Sequence, residues 1–147
     1  SDWSVPDRGN RGVTVRPAKI DDVEPVLNID EAVFVPLWRN TTANLAECLA
    51  ESFFVVADRE GAVVGYECLM MIGKHAHLSR VAVHPDHQGQ RIGVRLLAEA
   101  VAYCREQGAY GITLNTQRDN RRSRRLYEWF GFTMLGTEAL VMVAHVQ

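Results

Sequence analysis

The chain has 147 residues, of which 47% are hydrophobic and 23% charged, and this is the composition of one globular domain rather than of a disordered segment. Its 16 basic and 18 acidic residues leave a net charge of −2, so the overall charge does not favour nucleic-acid binding. No apolar run approaches the roughly 20 residues that span a bilayer, and we expect neither a nucleic acid nor a membrane as a partner.

Residues 1–12 are polar, contain glycine and proline, and show no hydrophobic periodicity. We predict that they form a tail or linker ahead of a single domain over residues 13–147. The three cysteines are far apart and include no CxxC pair, which favours reduced thiols and a cytoplasmic location.

Apolar periodicity and turn residues predict a series of strands and helices after this tail. Pro17 closes the first strand, Asp21 is placed to cap the first helix, and Thr41 or Thr42 begins the second. The order of elements predicts a mixed α/β sheet with helices packed on it. The predicted strands cover residues 13–16, 53–57, 62–72, 75–83, 110–115, 132–135 and 139–146, and the predicted helices cover about 22–34, 42–51, 92 to Gly108, and 119–130.

The segment 81–93 (VAVHPDHQGQRIG) runs from a strand through a turn into the most clearly periodic helix. The unpaired N–H groups of a helix N-terminus bind phosphate well, and Gly89 and Gly93 permit close approach of a ligand. The glycine spacing fits neither the Walker pattern nor the dinucleotide GxGxxG pattern. We therefore expect an anionic ligand other than ATP or NAD, with an ordinary strand–helix turn as the alternative.

This segment resembles motif A of the GNAT superfamily of acyl-CoA-dependent N-acetyltransferases, with Arg91 at the position of the first family glycine. Residues 120–132 (NRRSRRLYEWFGF) resemble motif B, Asn-x-x-Ala/Ser-x-x-Leu-Tyr-x-x-x-Gly-Phe. The resemblance covers about residues 13–143. It implies a GNAT-like, splayed central sheet of about seven strands with about four helices.

The resemblance further implies that acetyl-CoA is the cosubstrate and that it binds between the strands at 77–83 and 110–115. Its pantetheine arm would pair with the backbone of residues 81–83, and its pyrophosphate would lie on the N–H groups of residues 89–94. The cofactor-binding residues implied in this way are Val81, Ala82, Val83, Gln88, Gly89, Gln90, Arg91, Ile92, Gly93, Val94, Asn120, Ser123 and Tyr127.

Acetyl transfer to an amine requires a neutral amine and a proton for the departing thiolate. Tyr127, seven residues after Asn120 in motif B, is our candidate acid, and a buried core aromatic is the alternative. His77 is our candidate base, because it matches the first of two strand histidines in arylalkylamine members of the family. Glu67 and a water molecule remain alternatives for the base, and a hydrogen-bonded strand histidine is the plain structural interpretation of His77.

The acceptor is less well specified. In this family, the alanine acetyltransferases that act on ribosomal proteins carry a glutamate that serves as the general base, and this chain has Asn115 at that position. An amide cannot accept a proton as a carboxylate can. Trp38 and an acidic first helix lie in the region that walls the acceptor site in the family. They suggest a cationic acceptor, with ordinary surface charge as the alternative. The acidic residues of this region are Asp21, Asp22, Glu24, Asp30 and Glu31.

Three further features carry less weight. Five arginines between 118 and 125 suggest contact with the adenosine 3′-phosphate, or a solvated face. The histidines at 75, 77, 84 and 87 lack a recognised metal-ligand spacing, so no metal is expected. Cys68 lies in an apolar strand that would raise the pKa of its thiol, which disfavours a role as nucleophile.

The sequence therefore predicts an acetyl-CoA-dependent N-acetyltransferase that acts on a primary amine of a small molecule, peptide or protein, by direct attack in a ternary complex. The alternative is an acyl-CoA-binding sensory or regulatory module without turnover. A structural domain cut from a larger protein is a third interpretation, because the sequence does not begin with Met. The family resemblance also makes a homodimer an expectation.

Overall fold

The structure, a computed structural model, describes residues 8–115, 121–134 and 141–145. Its strands and helices follow one another in the order predicted from the sequence. In chain order they are β1 (Thr14–Pro17), α1 (Val23–Val33), α2 (Thr42–Glu51), β2 (Phe53–Arg59), β3 (Ala62–Ile72), β4 (His75–Val83), α3 (Ile92–Glu106), β5 (Gly111–Asn115), α4 (Arg121–Trp129), β6 (Thr133–Met134) and β7 (Val141–His145).

Within the described residues, the strands form one mixed sheet in the order β1-β2-β3-β4-β5-β7-β6. The β4–β5 pair is parallel, and each of the other paired neighbours is antiparallel. The mixed α/β class predicted from the sequence is thus confirmed. A parallel pair needs a long crossover connection, and α3 provides it between β4 and β5.

A β-bulge in β4 changes which face of the sheet its side chains occupy. Arg80 pairs with Cys68 and Leu78 pairs with Leu69, so Ser79 has no partner on β3. Leu78 packs into the core cluster that contains α3 residues, whereas Ala82 packs into the cluster that contains α1 and α2 residues. Because one extra residue reverses the alternation of a strand, even-numbered positions lie on opposite faces before and after Ser79.

Apolar residues on both faces of the sheet hold the helices in place. One core cluster joins α3 to β3, β4 and β5 and includes Leu97, Ile112 and the fully buried Phe130. A second cluster joins α1 and α2 to the opposite face through Val26 and Leu45, which have no exposed surface. Fully burying a side chain of this size stabilises the fold by about 1.5–3 kcal/mol.

The start of the first helix differs from the prediction. Asp21 was expected to cap it, but a single 3-10 turn, Ile20–Asp22, precedes α1. The carboxylate of Asp22 accepts hydrogen bonds from the backbone N–H of Lys19 at 2.7 Å and from Arg16 at 2.8 and 3.0 Å. The Arg16 hydrogen bonds, followed by the Lys19 N–H, hold the pKa of Asp22 below its ordinary value despite burial. The second helix agrees with the prediction, since Thr41 caps it by accepting from the N–H of Asn44.

Gly9 and Asn10, predicted as part of a polar tail, contact the beginning of α3. The backbone N–H of Asn10 donates to the carbonyl of Arg91 at 3.1 Å, and its side-chain amide donates to the carbonyl of Gln90 at 2.8 Å. Arg95 in turn donates to the carbonyl of Asn10 at 3.0 Å. A Cβ atom at Gly9 would lie 2.3 Å from the backbone nitrogen of Arg95, so only glycine fits this contact.

No helix in the described ranges combines the length and the apolarity needed to cross a membrane.

Candidate active site

A groove opens where β4 and β5 separate. The two strands pair from His75 and Gly111 as far as Leu78 and Leu114, after which β4 continues to Val83. The groove has a volume of about 970 Å³ and is lined by β4, the turn after it, α3, α4 and the segment after α1. The predicted cofactor-binding residues that line it are Val81, Ala82, Val83, Gln88, Gly89, Arg91, Ile92, Gly93, Val94, Ser123 and Tyr127.

One predicted binding residue of the described ranges, Gln90, is not among those that line the groove. Gln90 contacts Arg59 through its side chain and Asn10 through its carbonyl, so its role in the structure is to hold the turn. Asn120 lies outside the described residues. Gln88 does line the groove, but its amide also donates to the carbonyl of Val83 at 3.1 Å and closes the turn on itself.

The turn between β4 and α3 has the backbone geometry of an anion site. Gly89 and Arg91 both adopt the left-handed region, with φ of 80° and 64°. Arg91 is the N-cap of α3 and makes no side-chain cap hydrogen bond to that helix. The positive end of the α3 dipole and its first N–H groups are therefore not covered by a capping side chain. The left-handed φ also explains why the family motif prefers glycine at the position of Arg91.

Two further observations fit a phosphate-bearing ligand at this turn. A Cβ atom at Gly93 would meet only Leu126 at 3.8 Å and Val83 at 3.9 Å, so the glycine leaves open space that a ligand can occupy. The Nδ1 atom of His87 is buried and has no hydrogen-bond partner in the part of the chain that the structure describes. The residues present thus fit the nucleotide portion of a coenzyme A thioester.

Tyr127 is positioned at the inner end of the groove by α4. Its ring packs edge-on against Phe132, with ring centroids 5.9 Å apart, and the side chain is half-buried. Desolvation, and then the nearby Glu67, raise the pKa of Tyr127 to about 12. The phenol therefore keeps its proton at neutral pH and can donate a hydrogen bond to a departing sulfur atom.

His77 is not among the residues that line the groove, contrary to what its predicted role as base requires. It stands opposite Thr113 on β5, and its Nδ1 atom lies 2.9 Å from the Thr113 hydroxyl oxygen, which His75 Nε2 also contacts at 3.0 Å. Burial, and then the charge of His75, lower the pKa of His77. Regular alternation would place His77 and Ser79 on one face of β4, but the bulge at Ser79 interrupts it.

Glu67, the alternative base, is fully buried on β3 opposite Val81. Neither carboxyl oxygen has a hydrogen-bond partner within the described ranges. Burial, and then the charge of Glu99, raise the pKa of Glu67 well above its ordinary value. Burial thus opposes the ionised form of Glu67 that a general base requires.

One end of the groove is built from the segment after α1 and from β4. Phe34, Val35 and Trp38 provide an apolar wall, and Arg80 and Ser79 face them from β4. The Arg80 guanidinium lies 3.9 Å from the centroid of the Phe34 ring and donates to Asp30 at 3.0 Å. Sequence reasoning missed Arg80, although one basic residue within an apolar strand is a visible signal.

The acidic first helix does not supply negative charge to the groove. Asp22 pairs with Arg16, and Asp30 pairs with Arg80. Among the described residues that line the groove there is no aspartate or glutamate. The cationic acceptor predicted from these acidic residues therefore lacks a matching carboxylate in the part of the groove that the structure describes.

The structure describes the remaining predicted features in part. Within the predicted arginine cluster, Arg124 lies 3.9 Å from Glu128 as an i,i+4 pair, and Arg118 lies outside the described residues. No cysteine in the described ranges forms a disulfide, and burial raises the pKa of the Cys68 thiol, as expected for an inert core cysteine. No three His, Cys, Asp or Glu side chains gather into a metal site in those ranges.

The sheet separates between two parallel strands, next to a turn that contains glycine and the N-terminus of a helix. This arrangement is typical of an acyltransferase that uses a coenzyme A thioester. The sequence model of the Acetyltransferase (GNAT) family matches residues 23–132, and the chain therefore belongs to this family. Membership confirms the expected enzyme class and acetyl-CoA as its cosubstrate.

Individual relatives agree with this assignment. The chain is 26% identical over 140 residues, 87% of its length and 92% of the relative's, to a candidate [ribosomal protein bS18]-alanine N-acetyltransferase of Bacillus subtilis (strain 168). It shares the fold of the PaiA N-acetyltransferase of Thermoplasma acidophilum in complex with coenzyme A, with a TM-score of 0.82, 18% identity, and coverage of 90% of this chain and 98% of that one. The ribosomal-protein-S18-alanine N-acetyltransferase of Escherichia coli gives a TM-score of 0.82 at 19% identity, with coverage of 92% and 94%.

Proposed function

We propose that this chain transfers the acetyl group of acetyl-CoA to a primary amine by direct attack, with both substrates bound in a ternary complex. The observation that carries the proposal is the groove itself, which joins an uncapped helix N-terminus to an apolar pocket past the end of the β4–β5 pairing. One end suits a phosphate-bearing donor, and the other suits a separate acceptor.

Acetyl-CoA supplies the acetyl group as a thioester. In our proposal the backbone of residues 81–83, which has no β5 partner, pairs with the pantetheine arm in the manner of an added strand. The N–H groups of residues 89–94 bind the pyrophosphate. Backbone N–H groups near Val81 then face the carbonyl oxygen and stabilise the negative charge that develops on it.

Tyr127 is proposed to donate its hydroxyl hydrogen to the sulfur of the leaving group. Its pKa of about 12 lies above that of an ordinary phenol, so hydrogen bonding to the thiolate is favoured over complete proton transfer. Coenzyme A thiolate then takes its proton from solvent.

The amine is proposed to lose its proton to a water molecule rather than to a side chain. His77 is not among the residues that line the groove, and burial opposes the ionised form of Glu67 that a base requires. Ser79 and Asn115 line the acceptor end and are both exposed, and their hydroxyl and amide groups can orient a water. The amine attacks once it has lost this proton, so the rate depends on the fraction of the amine that is unprotonated.

A noncatalytic acyl-CoA-binding module remains the second candidate, and the position of His77, the predicted base, away from the described groove lining favours it. Release of free thiol from acetyl-CoA, measured across amines, amino acids and peptides, separates the two. Acceptor-dependent thiol release supports the transferase. Binding of coenzyme A by calorimetry without release of thiol in the presence of any acceptor would support the module, and the absence of binding would overturn both.

A further inference from the structure

Arg80 is held rigidly at the acceptor end of the groove. Its Nη1 atom donates to Asp30 at 3.0 Å, its guanidinium lies on the face of the Phe34 ring, and its side chain is 17% exposed. A guanidinium fixed on two sides loses little conformational entropy when it binds a further partner.

The hydrogen bond to Asp30 leaves other donors of the Arg80 guanidinium available. Asp30 is 1% exposed and also accepts from the Tyr66 hydroxyl and from the N–H of Asn40 at 2.7 Å. Within the described residues, Arg80 makes its hydrogen bond through Nη1. The Nε and Nη2 atoms remain, and a guanidinium binds a carboxylate in a fork through two such donors.

The surroundings of Arg80 select for both a negative charge and an apolar group. No carboxylate of the described chain lines the groove. Phe34 lies against the guanidinium, and Val35 and Trp38 line the same groove. Val35 is 60% and Trp38 50% exposed, so their apolar surface is available to a ligand. An acceptor that carries a carboxylate and an apolar side chain matches both features.

The position of Arg80 in the strand limits how far that carboxylate can be from the reacting amine. Arg80 directly precedes Val81, and consecutive Cα atoms are about 3.8 Å apart. The pantetheine arm is proposed to lie on the backbone of residues 81–83, with the thioester carbonyl near Val81, so an amine at the thioester and a carboxylate on Arg80 can belong to one small molecule. In a peptide N-terminus the corresponding carboxyl is an uncharged amide.

We propose that the acceptor is a free amino acid with an apolar side chain and that Arg80 binds its carboxylate. This proposal rests on the proposed acetyltransferase function and specifies its substrate class. Arg80 is then a specificity-determining residue: the carboxylate on Nε and Nη2 orients the α-amine toward the thioester.

The test compares L-phenylalanine with L-phenylalaninamide, which differ in the carboxylate alone. Because amidation lowers the pKa of the α-amine, each kcat/KM is expressed per unprotonated amine. We expect the acid to be favoured at least tenfold by the wild-type protein. Arg80→Gln should bring the acid-to-amide ratio of kcat/KM close to one, mainly by raising the KM for phenylalanine. Arg80→Lys should retain part of the preference, because lysine keeps the positive charge but not the two-donor fork.

Two controls separate recognition from folding. Arg80→Gln leaves Asp30 buried without its partner, so the double variant Asp30→Asn, Arg80→Gln restores a neutral pair, and coenzyme A calorimetry verifies that it is folded. Arg16→Gln breaks a comparable ion pair outside the groove, with the Arg16 side chain 27% exposed, and it should leave the acid-to-amide ratio at the wild-type value.

The outcomes are distinct. If none of the acceptors caused release of thiol from acetyl-CoA, the proposed transferase itself would be overturned. Turnover that favours the amide, or a peptide, over the free amino acid would overturn the present inference and leave the transferase intact. Retention of the wild-type ratio by both Arg80→Gln and the double variant would also overturn it.

Discussion

Leu78 and Leu114 are the last two residues that pair β4 with β5. Immediately beyond them, Ser79 forms the bulge in β4 and Asn115 ends β5, and both line the groove. The same point in the sheet thus opens the groove and turns Arg80 toward α1. In the proposed mechanism, donor and acceptor meet where the backbone hydrogen-bond ladder stops.

Tyr127→Phe tests the hydrogen bond to the leaving group. Removal of a positioned proton donor typically lowers the rate by 10²–10⁴-fold. Since Tyr127 is proposed to donate a hydrogen bond rather than a full proton, we expect a loss near the lower value, about 10²-fold in kcat. Affinity for coenzyme A, measured by calorimetry, should change little.

Tyr110→Phe is the matched control for this variant. Tyr110 is 52% exposed and is not among the residues that line the groove, so loss of its hydroxyl should leave kcat within a factor of two. Unchanged turnover in Tyr127→Phe would show that the sulfur obtains its proton without this phenol.

Gly93→Ala should raise stability and weaken donor binding together. Alanine is favoured over glycine in a helix by about 0.8–1 kcal/mol, and the added Cβ fits the fold with no contact closer than 3.8 Å. The same methyl group occupies the space proposed for the pyrophosphate. We expect a higher free energy of unfolding by urea titration and at least tenfold weaker binding of coenzyme A.

Gly108→Ala is the control for this variant, because it should change stability without changing coenzyme A binding. Gly108 follows α3 with a φ of 73°, a conformation in which alanine is strained by about 1–2 kcal/mol. This variant should lose stability while coenzyme A affinity stays at the wild-type value. If Gly93→Ala bound coenzyme A normally, the anion would not lie at this helix terminus.

Local patterns were sufficient to predict the elements that build the groove. The bounds of β3 and β4 agree with the structure, and α3 begins at Ile92 as its apolar face indicates. Motif A also located the turn with left-handed backbone at Gly89 and Arg91. These features depend on residues that are neighbours in the chain, so spacing and turn chemistry are enough to reveal them.

The features that were missed depend on residues distant in the sequence. The Ser79 bulge is set by pairing with β3, and the alternation of polar residues at 75, 77 and 79 gives no sign of it. Arg80 meets Asp30 across 50 positions. Glu67 was treated as a potential base because nothing in its local sequence shows that both faces of β3 are covered.

Asn10→Ala tests whether the N-terminal residues hold the anion-binding turn in place. Its side-chain amide donates to the Gln90 carbonyl, and its side-chain oxygen accepts from the N–H of Gly12 at 2.6 Å. Loss of these bonds should lower the free energy of unfolding by about 1 kcal/mol and weaken coenzyme A binding severalfold, because the turn is then less well ordered before binding.

Asn44→Ala is the corresponding control for an asparagine that stabilises a helix start away from the groove. Asn44 completes the capping box of α2 with Thr41. Its loss should lower stability by a similar amount while leaving coenzyme A affinity unchanged. Equal effects of both variants on affinity would mean that Asn10 acts only through global stability.

Glu67→Gln should change how stability depends on pH. Burial raises the pKa of Glu67 in the folded chain, whereas in the unfolded chain the carboxyl titrates near 4.3, as an ordinary glutamate does. Between these two pKa values the folded state holds one more proton than the unfolded state. The contribution of Glu67 to the free energy of unfolding is therefore fully present below the unfolded pKa and declines as pH rises, by at most about 1.4 kcal/mol per pH unit.

Glutamine cannot ionise, so the variant should lack this decline. Urea titrations at a series of pH values are expected to give similar stabilities for the two proteins near pH 4 and an increasing advantage for Glu67→Gln toward neutral pH. Glu67→Met removes the buried polar atoms as well and should show the same loss of pH dependence, which separates ionisation from hydrogen bonding by the new amide. Parallel stability curves for the wild type and both variants would mean that the buried carboxyl is paired in solution.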